Sequence, residues 1–214
     1  MKKRLCFCFL IFIACISSGT NRGFQLWNQN GIEVILNDKL SIGANEKIQY
    51  RTESGRLGLK YGDVFLHRKV LPWLDIGLSG RVLLMNEPGG WLQENRPMIY
   101  CNLKKRMGIF SVNIANRMGY RMFDLLEDHF RHRHMVTLEV NPFHLTNTFS
   151  FYMGEEAFYL LNKEHFHLFR LHSGTKIKCN NLLEMKLYYV FERLRKTNGW
   201  NPSDVLGFDM KIKF

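Results

Sequence analysis

The final segment, Val205 to Phe214, alternates strictly along its length. Leu206, Phe208, Met210, Ile212 and Phe214 are apolar, and Gly207, Asp209, Lys211 and Lys213 between them are small or charged. Successive strand side chains point to opposite faces, so this segment has one apolar face and one polar face. A water-soluble sheet can show such a pattern once. Its recurrence along a chain headed by a secretion signal predicts an all-β transmembrane barrel, antiparallel and up-and-down, with lipid outside and a polar lumen inside.

The head of the chain predicts that signal. Lys2, Lys3 and Arg4 form a positive region, Leu5 to Ile16 is an apolar run, and Ser17, Ser18 and Gly19 offer small residues for cleavage. The run is too short to cross a bilayer as a helix. Residues 1–19 are therefore read as a signal peptide and residues 20–214 as one barrel domain. Ala14-Cys15 is only a faint lipoprotein cleavage site, because Phe12 stands where a smaller aliphatic is usual.

Composition excludes other classes. No long apolar helix follows Gly19, which removes an inner-membrane helix bundle. Of the five cysteines, Cys6, Cys8 and Cys15 fall in the signal, leaving Cys101 and Cys179, too few for a disulfide scaffold. The formal charge of +11 would suit a nucleic-acid partner. Secretion argues against one, and the positive residues alternate with apolar ones instead of forming a patch. No nucleic acid and no cofactor are expected.

Alternation and turn signals predict strands at Gln25–Leu36, Lys39–Arg51, Arg56–Lys69, Pro72–Met85, Trp91–Leu103 and Met107–Arg121. Further strands are predicted at His129–Val140, Thr148–Leu160, His165–Lys178, Leu182–Arg193 and Val205–Phe214. Single-chain bacterial barrels have even strand numbers, with both termini on the periplasmic side. The odd count of segments thus implies a false strand or a missed one, and the expectation is about 10–12 strands. Counting back from Phe214 puts Asn86–Gly90, Met122–Asp128 and Leu194–Asp204, the longest, outside the cell. Asn37-Asp38, Val70-Leu71, Lys104–Arg106 and Cys179–Asn181 become periplasmic turns. Trp73, Trp91, Trp200, Tyr50 and Tyr61 fall towards strand ends, where aromatic girdles form.

Parity then assigns the interior. A lumen charge network is expected from Glu33, Arg51, Asp75, Arg81, Arg96, Arg117, Arg133, Glu139, Glu156, Arg170, Glu184, Lys186 and Asp209. Glu94, Arg121, Arg131, Glu192, Lys211 and Lys213 share the inward parity. Cations outnumber anions. A narrow lumen filled by paired side chains is one reading, and a small anion-favouring channel is the other. Glu46 resists the scheme, since it shares parity with Leu40, Ile42, Ile48 and Tyr50; a bulge near Asn45 would turn it inward.

Histidines invite a chemical reading. His132 and His134 alternate with Arg131 and Arg133, and His165 and His167 form a second pair. Parity places both pairs outward near the outer rim, so Arg131, His132, His134, His165 and His167 are candidate lipopolysaccharide contacts rather than metal ligands. An outer-membrane lipid hydrolase would need a serine within reach of a histidine base. The sole His–Ser neighbours, His172 and Ser173, point to opposite faces of a strand, so no enzyme is expected. In Gly154-Glu155-Glu156 the second glutamate should face in as a partner for lumen arginines, with Glu155 displaced by a glycine bulge.

Several short motifs stand in a telling order. They are Leu26-Trp27, Trp91 with Arg96, the Arg131–Arg133 strand, Gly154-Glu155-Glu156 with Phe158, Arg170 with Gly174, Tyr188-Tyr189 and the terminal Phe214. Together they resemble an uncharacterised family of Gram-negative outer-membrane barrels known only as a domain of unknown function. The resemblance covers nearly the whole mature chain and implies a secreted barrel, with no activity or substrate. Met210, Ile212 and Phe214 also resemble the C-terminal signal that such barrels present to the barrel-assembly machinery, which becomes an expected transient partner. The remaining expected partners are outer-membrane lipid and lipopolysaccharide, around a monomer.

Overall fold

A computed structural model describes residues 23–141, 148–197 and 199–214. The segment read as a signal peptide lies outside the described residues. Eleven strands form one closed barrel: β1 (Gly23–Asn37), β2 (Leu40–Arg51), β3 (Arg56–Leu71), β4 (Leu74–Glu87), β5 (Gly90–Met107) and β6 (Phe110–Phe123). They continue with β7 (His129–Val140), β8 (Phe149–Leu160), β9 (His165–Lys178), β10 (Leu183–Lys196) and β11 (Gly199–Lys213).

Each strand pairs antiparallel with its sequence neighbours. The closing pair is the exception. β1 and β11 run parallel in unbroken register from Gly23↔Ser203 to Glu33↔Lys213. This resolves the parity problem differently from expectation: among the described residues all eleven predicted segments are strands of the barrel and no further strand joins them. An odd number of alternating strands leaves first and last pointing the same way, so only a parallel pair can close the sheet. The consequence corrects the expected placement of the termini, because Gly23 and Phe214 lie at opposite ends. Phe214 is nonetheless tied into the seam, with its N–H donating to the Glu33 carbonyl (2.9 Å) and its carbonyl accepting from Ile35 (2.7 Å).

The strands are strongly staggered. A circuit of paired residues leaving β5 at Leu92 passes through Trp27, Gly207, Tyr188 and Tyr152 and returns to the same strand at Arg106. Such shear accompanies the tilt that closure demands. The connections segregate as predicted. The β1–β2, β3–β4, β5–β6, β7–β8 and β9–β10 connections share one end with Phe214, here the C-terminal end. The other five share the N-terminal end with Gly23. Gly55 and Gly108 supply the left-handed backbone of two of the turns, at φ 61° and 60°.

The segment Leu194–Asp204 is a correction. It is not a long loop: β10 and β11 pair as far as Lys196↔Gly199. Pro202 and the asparagines there read as loop signals. However, β1 joins β11 only from Ser203, so the missing N–H of Pro202 falls where the second side of the strand has no partner. The widest separation of strands is instead between β7 and β8, at the C-terminal end.

The exterior carries the apolar parity. Val64, Leu78, Ile99 and Met153 are each 57% exposed or more, and Leu26, Ile42, Ile76, Val82, Leu187 and Phe208 join them. Trp73, Trp91 and Tyr50 are exposed near strand ends. Tyr61 is a correction to the girdle: it faces the lumen, donates to Gln29 (3.1 Å) and lies 3.7 Å beneath the Arg81 guanidinium. Glu46 stays outward. The β1–β2 register is regular at Asn45, and the Glu46 carboxylate accepts from Asn30 (3.0 Å), which also donates to Asn28 (2.9 Å).

Inside the seam, Trp27, Tyr188, Val190 and Val205 form a buried cluster. Gly207 is required there, because a Cβ on it would fall 2.2 Å from the Tyr188 ring. Gly77 admits the Tyr100 ring in the same way on the facing wall.

Candidate functional site in the barrel lumen

The lumen is a cavity of about 860 Å³ to which every strand contributes. Its lining holds thirteen lysines and arginines against four aspartates and glutamates. Position along the strands divides it into two regions.

At the C-terminal end the cations are mostly lysines in simple pairs. Lys176 binds Glu139 at 2.5 Å, and Ser150 donates to the same carboxylate at 2.7 Å. Lys104 binds Asp75, whose other neighbour is His67 at 3.4 Å. Lys211 binds Glu33 at 2.7 Å, and Glu184 sits between Lys186 (3.7 Å) and Lys213 (3.8 Å). The ammonium groups of Lys104, Lys186, Lys211 and Lys213 are reached by solvent, so their pairs are ordinary, screened contacts, while Lys176 is more enclosed.

Towards the middle and the N-terminal end the cations are arginines. Glu94 is fully buried between Arg96 (2.5 Å) and Arg121 (2.7 Å). Glu156, 1% exposed, accepts from Arg133, from Arg170 at 3.3 Å and from His172 at 3.0 Å. Arg170 also binds Glu192 at 2.7 Å, and Arg81 binds Asp63 at 2.5 Å. Aromatic faces support these guanidiniums: Arg131 lies 4.9 Å and Arg170 5.1 Å from the Phe158 ring, and Arg170 lies 4.8 Å from Trp27.

Of the thirteen lining cations, five make no ion pair with a carboxylate among the described residues; Lys105 and Arg106 are exposed at the C-terminal rim, and the other three lie inside. Lys47 lies over the Trp27 ring at 3.6 Å, Arg131 over Phe158, and Arg117 stands 5.8 Å from the Tyr100 ring. The Arg117 Nε is buried and has no hydrogen-bond partner. A buried charge without a counterion is unfavourable, so these groups define the part of the lumen with chemistry to offer.

Most residues expected in the network meet a partner there: Glu33, Asp75, Arg81, Arg96, Arg133, Glu139, Glu156, Arg170, Glu184 and Lys186. Asp209 instead accepts from the Tyr188 hydroxyl at 2.8 Å. Arg51 is at the N-terminal rim, exposed, donating to the Asn86 carbonyl at 3.5 Å. Parity reading overlooked Lys47, Asp63, His67, Lys104 and Lys176. Lys47 and Asp63 could have been found, since each alternates with Asn45, Gln49 or Tyr61 on the inward parity. The pair Gly154-Glu155 needs no bulge: Glu155 pairs with Leu171 and Glu156 with Arg170 in regular register.

The outer patch is corrected. Arg131 lines the cavity, and the pairing of β8 with β9 turns His165 and His167 to the inner side as well. His167 packs edge-on against Phe158 at 5.9 Å, and His165 pairs with the buried Leu160. A register shift between Phe158 and Tyr159 on β8, opposite His167 on β9, inverts parity beyond it. Counting from Arg170 and His172 without that shift sends both histidines to the wrong face. Only His132 and His134 of the five remain outside, where His134 Nδ1 meets Asn116 Oδ1 at 2.8 Å. Met210 and Ile212 lie on the outward face of β11, and Phe214 is exposed at the rim.

A closed barrel with an apolar exterior and a charged, hollow interior is a transmembrane β-barrel. The chain belongs to a specific family of them: residues 24–202 match the model described as a protein of unknown function, DUF2490. No curated protein matches the sequence. Among solved structures, an anion-selective porin from Comamonas acidovorans is similar at TM-score 0.39 and 10% identity, covering 80% of this chain and 55% of that one. The siderophore receptor PirA from Pseudomonas aeruginosa is similar at TM-score 0.30 and 12% identity, covering 80% and 34%. The chain thus spans little more than half the length of the first and a third of the second, and likeness this distant leaves function to the residues themselves.

Proposed function

We propose that this protein is a monomeric integral outer-membrane barrel of a Gram-negative bacterium whose narrow lumen favours anions. The observation that carries the reading is the excess of lysine and arginine along the cavity, with Lys47, Arg117 and Arg131 making no ion pair with a carboxylate among the described residues. Fixed positive charge in a low-dielectric channel concentrates anions and repels cations. The C-terminal end faces the periplasm in this reading. Met210, Ile212 and Phe214 meet the assembly machinery, and His132 and His134 meet lipopolysaccharide at the opposite rim. The test is conductance of the refolded barrel in a planar bilayer. Discrete steps whose reversal potential follows the chloride gradient support the passage. A folded barrel that stays silent leaves a structural barrel with a charge-filled interior.

A further inference from the structure

The wall formed by β4 to β7 holds an arrangement that an internal salt-bridge network does not need. Arg81 on β4 stands directly opposite Arg96 on β5, and Arg117 on β6 directly opposite Arg133 on β7. Like charges paired across strands destabilise a sheet. Asp63 answers Arg81, Glu94 answers Arg96, and Glu156 answers Arg133. Arg117 and Arg131, two positions apart in lateral register across the β6–β7 ladder, have no such answer, and the Arg117 Nε is buried without a hydrogen-bond partner. Gly119, directly opposite Arg131, lets the Met98 and Arg96 side chains lie close against the wall: a Cβ there would stand 3.0 Å from Met98 and 3.2 Å from the Arg96 side chain, so Arg96 is held beside the two unanswered arginines.

We propose that this wall is a binding site for a phosphoryl group, held by Arg117 and Arg131 with Arg133 and Arg96 at its flanks. The planar guanidinium fork matches the oxygens of a phosphate, and each contact is charge-assisted. The site opens onto the 860 Å³ cavity, which has room for an ion and its remaining water. The inference rests on the anion-favouring reading of the lumen and narrows it to a chemistry. A free phosphate and a phosphorylated lipid headgroup present the same group.

The test is equilibrium dialysis of the full barrel in detergent with labelled inorganic phosphate at fixed chloride, with folding verified by heat-modifiable gel migration. Saturable binding is expected, weakened about tenfold or more by Arg117→Gln and likewise by Arg131→Gln. Arg68→Gln, on the outward parity of β3, is expected to leave it unchanged. In phosphate-free buffer Arg117→Gln should also keep or raise the unfolding temperature, because it removes a like-charge neighbour; a merely structural arginine would lower it. Mass spectrometry of barrel taken from membranes separates the sources. A bound phospholipid or lipid A released by Arg117→Gln supports the headgroup, and an unliganded barrel that takes up inorganic phosphate supports the free ion. Absence of saturable binding, or binding indifferent to both arginine variants, overturns the site. If chloride selectivity persists in that case, the site falls and the anion-favouring lumen stands; if phosphate binds and no current flows, the passage falls instead.

Discussion

The two regions of the lumen carry the same sign of charge and build it differently. At the C-terminal end, lysines such as Lys104 and Lys186 reach solvent, and Glu184 holds Lys186 and Lys213 only loosely, at 3.7 and 3.8 Å. In the middle and N-terminal part, Glu94 and Glu156 each gather two or more cations at or near full burial, and aromatic rings back the guanidiniums. Arginine suits the second setting because it is planar, multidentate and weakly hydrated. Lysine suits the first, where a compact hydrated charge on a flexible stem suffices. Burial, rather than charge count, thus decides which pairs hold the barrel and which tune its mouth.

That contrast can be broken from the buried side first. Glu156→Gln leaves Arg133, Arg170 and His172 around a neutral amide and should destabilise the barrel by about 3–5 kcal/mol, read as the shift of its unfolding transition in urea. The matching change at the mouth, Glu184→Gln, whose lysine partners reach solvent and stand 3.7 and 3.8 Å away, should remove about 1 kcal/mol or less. Equal effects would mean the two regions are not distinct. Next in size is Gly207→Val, which drives a side chain into the Tyr188 ring and should cost about 1–3 kcal/mol at the seam. The smallest effect concerns salt. Lys186→Gln should weaken anion preference at low ionic strength and have little influence near 1 M salt, where screening shortens to about 3 Å. Arg117→Gln should weaken it at both.

The strands were largely legible in the sequence, because period-2 alternation is a direct image of a barrel wall. Leu183, Met185 and Leu187 face out and Glu184, Lys186 and Tyr188 face in, as parity requires. What alternation could not disclose was any feature that depends on partners across the sheet. The bulge at His167 reverses two histidines, yet it leaves no mark in the residue types around it. The parallel seam follows from an odd count that the even-number rule argued away. Tyr61 has the amphipathic character of a girdle residue and sits in the lumen because Arg81 covers it. The unpaired state of Arg117 also depends on β5, β7 and β8 together, so a single strand could never show it.

The central claim is that the lumen favours anions, and the reversal potential of single channels in a chloride salt gradient tests it most directly. A potential displaced towards the chloride equilibrium value, and moved back towards zero by Arg117→Gln, is the expected result. A folded, conducting barrel with a reversal potential at zero or displaced towards the cation would contradict it.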